Sequence, residues 1–388
     1  MDRYIYFDHS ATTPVLPEVV EEINSCFTTY YGNASEPHGP GREAAAILDR
    51  SRQEVADAMG ARPREIVFTS GGTESDNLAL VGAAEANCKK GNHIIISEIE
   101  HPAVHMAAKR LSRKGFKITE VGADSQGMVD PGDVKKSLTD KTILVSIMHA
   151  NNIVGTVQPI SEIGSILREK GVIFHTDAVQ SFCSIDTNVD VLNTDLLSIS
   201  GHKFYGPKGV GALYIRKGTR ISPQLVGGGH EHGMRSSTEN IPGIAGLAKA
   251  ASMGQKDLGL KRKKLTGLRD RIKDHVLENI GDVRFNGHPE KRLPGNCNIS
   301  FSYIEGEAIV LRLDAAGIAV SSGSACSSSS MKPSHVLVAM GLTPEEAHGS
   351  LRITLGFENT LDEVDYFLDV LPGIIADLRK ISPLYRGS

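Results

Sequence analysis

The chain is short of several things, and each shortage removes a class of function. Its five cysteines, Cys26, Cys88, Cys183, Cys297 and Cys326, form no C-x-x-C pair and no closely spaced framework. That argues against a disulfide scaffold or a structural zinc module and for a reducing, cytoplasmic setting. No apolar run approaches the roughly 18–20 residues that span a bilayer, and the start, Met1–Tyr4, runs into a strand-like segment with no signal-peptide core. Basic residues cluster most densely at Lys261-Arg262-Lys263-Lys264, with a net charge of −4 over the 388 residues. A run that brief reads as a solvated helix face, so direct nucleic-acid binding is not expected. There is no internal repeat and no low-complexity linker.

The chain does have alternation. Short apolar segments at 65–69, 93–97, 142–148, 172–176, 196–200 and 209–215 read as buried strands. Amphipathic stretches at 74–86, 103–114 and 161–170 read as helices between them. This predicts an α/β fold with a mostly parallel central sheet and helices on both faces. The pattern changes near residue 258. A long charged helix over 257–279 precedes a mixture of strands (297–302, 318–321, 350–355) and helices (305–316, 334–340, 361–380), which predicts a smaller α+β unit. The expected division is a large domain over 15–257, with 1–14 and 258–388 forming the small one.

Chemistry-bearing residues fall just past the carboxyl ends of the predicted strands, where open α/β sheets bind ligands. Gly71-Gly72-Thr73 follows one strand and opens a helix. Glycines there let the backbone approach an anion, and free helix N–H groups would receive it. Ser200 and His202, after another strand, can add donors. Asp177 ends a third strand, and a carboxylate so placed needs a cationic partner. Lys203 sits in the turn Ser200-Gly201-His202-Lys203. A lysine amine that can condense with an aldehyde, and an aspartate that can keep a pyridine nitrogen protonated, together suit pyridoxal 5'-phosphate.

Other side chains allow two readings each. His101 could stack on the cofactor ring or be a satisfied turn histidine. Asn152 and Gln180 are neutral donors of the kind buried anywhere. Arg352, in an apolar strand, needs an anion, either an internal carboxylate or a substrate carboxylate. His230-Glu231-His232 lacks a third nearby ligand, so a zinc site is not expected. Cys26, Cys88, Cys183 and Cys297 lie in or beside apolar periodic stretches and read as small buried hydrophobes. Cys326 differs, flanked by serine and alanine in Ser321-Ser322-Gly323-Ser324-Ala325-Cys326, where an exposed thiol is a liability unless it reacts.

Taken together these motifs resemble the cysteine desulfurases, the NifS/IscS family of fold-type I pyridoxal phosphate enzymes. The resemblance runs from Phe7-Asp8-His9-Ser10-Ala11-Thr12-Thr13-Pro14 through Thr69–Ser75, Ser200–Gly209 and Gly233–Thr238 to the Ser322–Cys326 loop and Ile381–Tyr385. It implies conversion of L-cysteine to L-alanine, with sulfur left as a persulfide on Cys326 and passed to a sulfur-acceptor protein. That acceptor would be an iron–sulfur cluster scaffold or a tRNA thiolation enzyme.

By the same resemblance Lys203 is the Schiff-base lysine and the group that moves the Cα proton. Asp177 partners the ring nitrogen, His101 stacks on the ring, and Asn152 and Gln180 lie near its hydroxyl. Thr73, Ser200 and His202 bind the phosphate, joined by Thr238 from the neighbour in a homodimer. Arg352 holds the substrate carboxylate, with Asn33 as a further substrate contact. Two departures stand out, Ile153 where many members have Glu and Phe357 where many have Arg. A selenocysteine lyase and a non-catalytic sulfur relay on the same scaffold are the alternative readings.

Overall fold

A computed structural model describes residues 4–322 and 333–385. Seven strands build the main sheet: β1 (Ile66–Thr69), β2 (His93–Ser97), β3 (Lys117–Val121), β4 (Thr142–Ser146), β5 (Ile173–Asp177), β6 (Leu196–Ser200) and β7 (Gly211–Ile215). Their spatial order is β1-β7-β6-β5-β4-β2-β3. All neighbours are parallel except β7, which runs antiparallel to both β1 and β6. The prediction of a mostly parallel sheet therefore holds, and the one reversal has a local cause. The chain turns back directly after β6, through the Gly201–Lys203 turn, with no helix to carry it across the sheet.

Strands β2, β4 and β6 are buried at every position, as expected where helices cover both faces. Edge strand β3 instead exposes Lys117 and Glu120, charges that discourage pairing with another chain. The helices Pro17–Thr28, Gly39–Met59 and Ile241–Gln255 pack together on one face. On the other, Gly72–Asn87 presents Leu78, Ala79, Leu80, Val81, Ala83 and Ala84 to the sheet and to Pro102–Arg113. Its small residues allow close approach to the strands.

A second, four-stranded antiparallel sheet comprises β8 (Val283–Asn286), β9 (Asn296–Phe301), β10 (Ser321–Ser322) and β11 (Ser350–Thr354), in the order β10-β11-β9-β8. The helices Leu258–Asn279, Gly306–Ala315 and Leu361–Ile381 share its apolar core. The chain start belongs to this unit: Ile5–Tyr6 pairs in parallel with Ile318–Ala319, Asp8 bridges to Thr354, and Phe7 is buried in the same core. The stretch predicted as one strand over 318–321 is two short ones that pair with different partners. Among the described residues, no helix is long and apolar enough to cross a membrane.

Candidate active site

The carboxyl ends of β1, β2, β4, β5 and β6 open into one cavity of about 330 Å³, which Arg352 of β11 closes from the second sheet. Thr73, His101, Asn152, Asp177, Gln180, Ser200, His202 and Lys203 all line it. The residues singled out on separate strands thus meet at one place.

One end of the cavity is an anion cradle. The helix Gly72–Asn87 starts at Gly71 with no side chain capping its first turn, so N–H groups there are available to a ligand. The turn must lie close to β7: a Cβ on Gly211 would come within 2.7 Å of the Gly71 Cα. Ser200 Oγ lies beside this turn, and His202 Nδ1 is 3.1 Å from Thr12 Oγ1. Burial, with the nearby Lys203 and Lys208 charges, lowers His202 to about 4, so the ring is neutral at physiological pH.

Acids gather behind the cavity. Asp177 accepts the Val179 N–H at 2.8 Å. Burial raises it to about 6, against the opposing pull of that bond and of Lys203. Two further buried carboxyls, which the sequence reading passed over, lie in its field. Asp76 lines the cavity, and burial and then the Asp177 charge push it well above the ordinary carboxylate range. Glu100 accepts from Ser97 Oγ at 2.6 Å and Met148 N at 2.8 Å, yet burial still raises it to about 8. Three carboxyls so placed cannot all ionise, and each of Asp76 and Glu100 has a buried oxygen with no hydrogen-bond partner, that of Asp76 lying 3.6 Å from His175 Nε2. Beneath them His175 bonds Ser146 and Ser198 at 2.8 and 3.0 Å, and burial lowers it to about 3. The available signal was Asp76 itself, an acid at helical spacing from Leu80 and Ala83 on a buried face.

Lys203 Nζ donates to the carbonyls of Ser10 at 2.6 Å and Ala11 at 2.8 Å, and Gln180 Nε2 donates to the same Ser10 carbonyl at 3.0 Å. His101 caps the helix Pro102–Arg113 by accepting the Ala103 N–H on Nδ1 at 3.1 Å. Burial first, then the charges of Lys203 and His335, lower it to about 4. The neutral ring therefore carries its proton on Nε2. An acid for a ring nitrogen, an amine and an open anion cradle in one cavity fit pyridoxal phosphate.

Arg352, 2% exposed, donates through Nη2 to Asp8 Oδ1 at 2.8 Å and through Nη1 to the Asn152 carbonyl at 3.2 Å. The guanidinium thus has an internal carboxylate partner, one of the two anions the sequence allowed. Its Nε has no hydrogen-bond partner.

Asn33 and Thr238 lie outside the cavity. Asn33 is exposed and accepts the Ser35 N–H. Thr238 is exposed in a segment held by two ion pairs, Arg52–Glu231 and Arg235–Glu74. Glu231 is spent on Arg52 and the Phe68 N–H, and no group of metal-ligating side chains occurs among the described residues. Cys326 lies outside the described residues. Of the other cysteines, Cys26 and Cys297 are buried and Cys183 is partly so. Cys88 is exposed, contrary to its reading as a buried hydrophobe, because it falls at the C-cap of its helix. The two departures are apolar insertions into existing packing. Ile153 is buried in the main core, and Phe357 packs against Tyr205 with ring centroids 4.1 Å apart and the rings tilted by 49°.

The chain belongs to the class-V aminotransferase family, which it matches over residues 5–367. It is 51% identical over 383 residues to the cysteine desulfurase IscS of Dictyoglomus turgidum, covering 99% of this chain and 97% of that one. A solved NifS-like protein superimposes with a TM-score of 0.91 at 40% identity, covering 97% of this chain and all of the other. SspA, solved in complex with cysteine, gives a TM-score of 0.80 at 36% identity, covering 90% and 98%. Within the broad family the chain falls among the cysteine desulfurases, pyridoxal-phosphate-dependent enzymes.

Proposed function

We propose that the chain takes sulfur from L-cysteine, releases L-alanine and hands the sulfur on from Cys326 as a persulfide. The observation that carries this reading is the shared cavity, in which Lys203, Asp177 and His101 from one sheet face Arg352 from the other. Bound pyridoxal phosphate supplies an aldehyde for the Lys203 amine and a protonated ring that draws electron density from the substrate Cα.

Asp177 would keep the ring nitrogen protonated, a pyridinium adding a second cation to the Lys203 charge that already acts on its buried carboxylate. Thr73, Ser200, His202 and the free N–H groups after Gly71 hold the phosphate. His101, neutral, would stack on the ring, and Asn152 and Gln180 would serve its hydroxyl. Arg352 orients the substrate by its carboxylate. Lys203, whose amine would hold the cofactor aldehyde, would be placed to move the Cα proton. The Cys326 thiolate attacks the substrate sulfur; the C–S bond breaks, a S–S bond forms, and the carbon left behind is protonated to alanine.

Further parts of the proposal concern assembly. The enzyme works as a homodimer in which Thr238 completes the partner's phosphate site; the two ion pairs that brace its exposed segment support this. Residues 15–257 form the cofactor domain, and 1–14 with 258–388 the small domain. The pairing of Ile5–Tyr6 with Ile318–Ala319 supports that division. Asn33 is a further substrate contact. The protein is cytoplasmic, and its acceptor is an iron–sulfur scaffold or a tRNA thiolation enzyme.

The test is alanine release from L-cysteine, with persulfide mapped by mass spectrometry and Cys326→Ala alongside. The wild type should form alanine in step with an adduct on Cys326, and Cys326→Ala should bind cofactor and form neither catalytically. Normal turnover by the variant would remove Cys326 from the mechanism. Much faster turnover of L-selenocysteine than of L-cysteine would replace desulfurase by lyase.

A further inference from the structure

Residues Asp8–Thr13 contribute no strand to either sheet, yet they touch site residues from both. Asp8 Oδ1 accepts from Arg352, the Ser10 carbonyl accepts from Lys203 and Gln180, and the Ala11 carbonyl accepts again from Lys203. Thr12 Oγ1 meets the His202 ring, while Thr13 donates its N–H at 2.9 Å and its hydroxyl at 3.0 Å to the His202 carbonyl. The strap is itself fixed. Tyr6 donates its hydroxyl to the carbonyls of Asp8 and Thr12 at 3.0 and 2.9 Å, and the Ser10 N–H donates to Thr354 Oγ1 at 2.9 Å.

We propose that Asp8 is a positioning residue for the substrate carboxylate, fixing the Arg352 guanidinium, through this strap, relative to the Lys203 amine. The inference deepens the reading of Arg352 given above and rests on it. A guanidinium has five N–H donors in a rigid fork. Asp8 occupies one at Nη2 and the Asn152 carbonyl one at Nη1, while Nε is buried with no acceptor. A buried charged donor left unpaired is costly, so an incoming carboxylate gains most at that edge. Asp8 sets the direction in which the edge points. Because the same strap also holds Lys203, the carboxylate anchor and the amine are braced by one stretch of main chain.

The experiment is steady-state kinetics of the holoenzyme on L-cysteine for Asp8→Ala, Asp8→Asn and Arg352→Ala, with the cofactor absorbance and melting temperature of each. Asp8→Ala should raise KM about tenfold, and Asp8→Asn, which keeps an acceptor oxygen, about threefold. In both, kcat should stay within about twofold of wild type, the pattern of a lost binding contribution. A fall in KM would mean that Asp8 competes with the substrate for Arg352 and would overturn the proposal. So would an unchanged KM, or a loss of kcat and melting temperature together without a KM change, which marks a purely structural pair. Asp8→Asn decides the matter where Asp8→Ala does not fold. If Arg352→Ala raises KM while both Asp8 variants leave it alone, only the positioning role fails. If Arg352→Ala leaves KM unchanged, the reading of Arg352 falls and this inference with it.

Discussion

The two sheets solve the burial of charge in opposite ways where they meet. On the main sheet Asp76, Glu100 and Asp177 are buried together, their pKa values are raised, and one oxygen each of Asp76 and Glu100 accepts no hydrogen bond. On the second sheet the buried charges are guanidiniums. Arg292 donates to the carbonyls of Asn286, His288, Asn296 and Val154 and stacks on Phe285 at 4.1 Å. A carboxyl can shed the cost of burial by keeping its proton; an arginine gives up its proton at no ordinary pH, so it must be surrounded by oxygen. The acidic side therefore tunes itself by protonation and the basic side by saturation. Arg352, the guanidinium that faces the cavity, is one whose saturation is incomplete.

Lys203 lies at the junction, and its loss should have the largest effect. Lys203→Ala should lower alanine formation by about 10³-fold, the scale of a lost general base, while the protein still binds cofactor, as its absorbance would report. Turnover near the wild-type rate would separate Lys203 from the chemistry and leave it only its electrostatic pull on Asp177. Next comes the incomplete guanidinium. Arg352→Ala should raise KM for L-cysteine by an amount equivalent to roughly 2–3 kcal/mol, the value of a charge-assisted pair. An unchanged KM would mean that Asp8 is the whole purpose of Arg352, and the contrast with Arg292 would collapse.

The third effect is on stability, not turnover, and concerns the protonated side. Glu100 has a folded-state value of about 8 against 4.5 ordinarily. Between those values the unfolded chain has released a proton that the folded one retains, so this group's contribution to stability falls as pH rises and levels off above about 8. Glu100→Gln lacks the effect. The melting temperature of the variant relative to wild type should therefore climb from pH 5 to pH 8. A difference independent of pH would show Glu100 already ionised in the fold, and the account of the acidic side by protonation would need replacing.

Much of this was legible in the sequence for a physical reason. Strands β2 and β6 appear with the bounds expected of them, since a continuously apolar run flanked by turn residues has few other solutions. Eight of the residues named from the main sheet line the cavity, because strand ends in a parallel sheet converge whatever the details of the helices. What escaped was long-range or written in the main chain. Edge strand β3 exposes Lys117 and Glu120 with half-buried Ile118 and Thr119 between them, and carries no strong period. The reversal of β7 depends on a turn, not on its own composition. The Asp8–Arg352 contact joins residues 344 apart in the chain, and no local pattern encodes it.

The hold on Lys203 has a consequence for how such a site records its history. The acceptors are the carbonyls of Ser10 and Ala11, which every amino acid possesses. The side chains at these two positions take no part in these bonds, so a substitution there does not by itself remove an acceptor. The interaction that steadies the reactive amine is carried by the shape of the main chain, and selection can see it only through the neighbours that hold that shape.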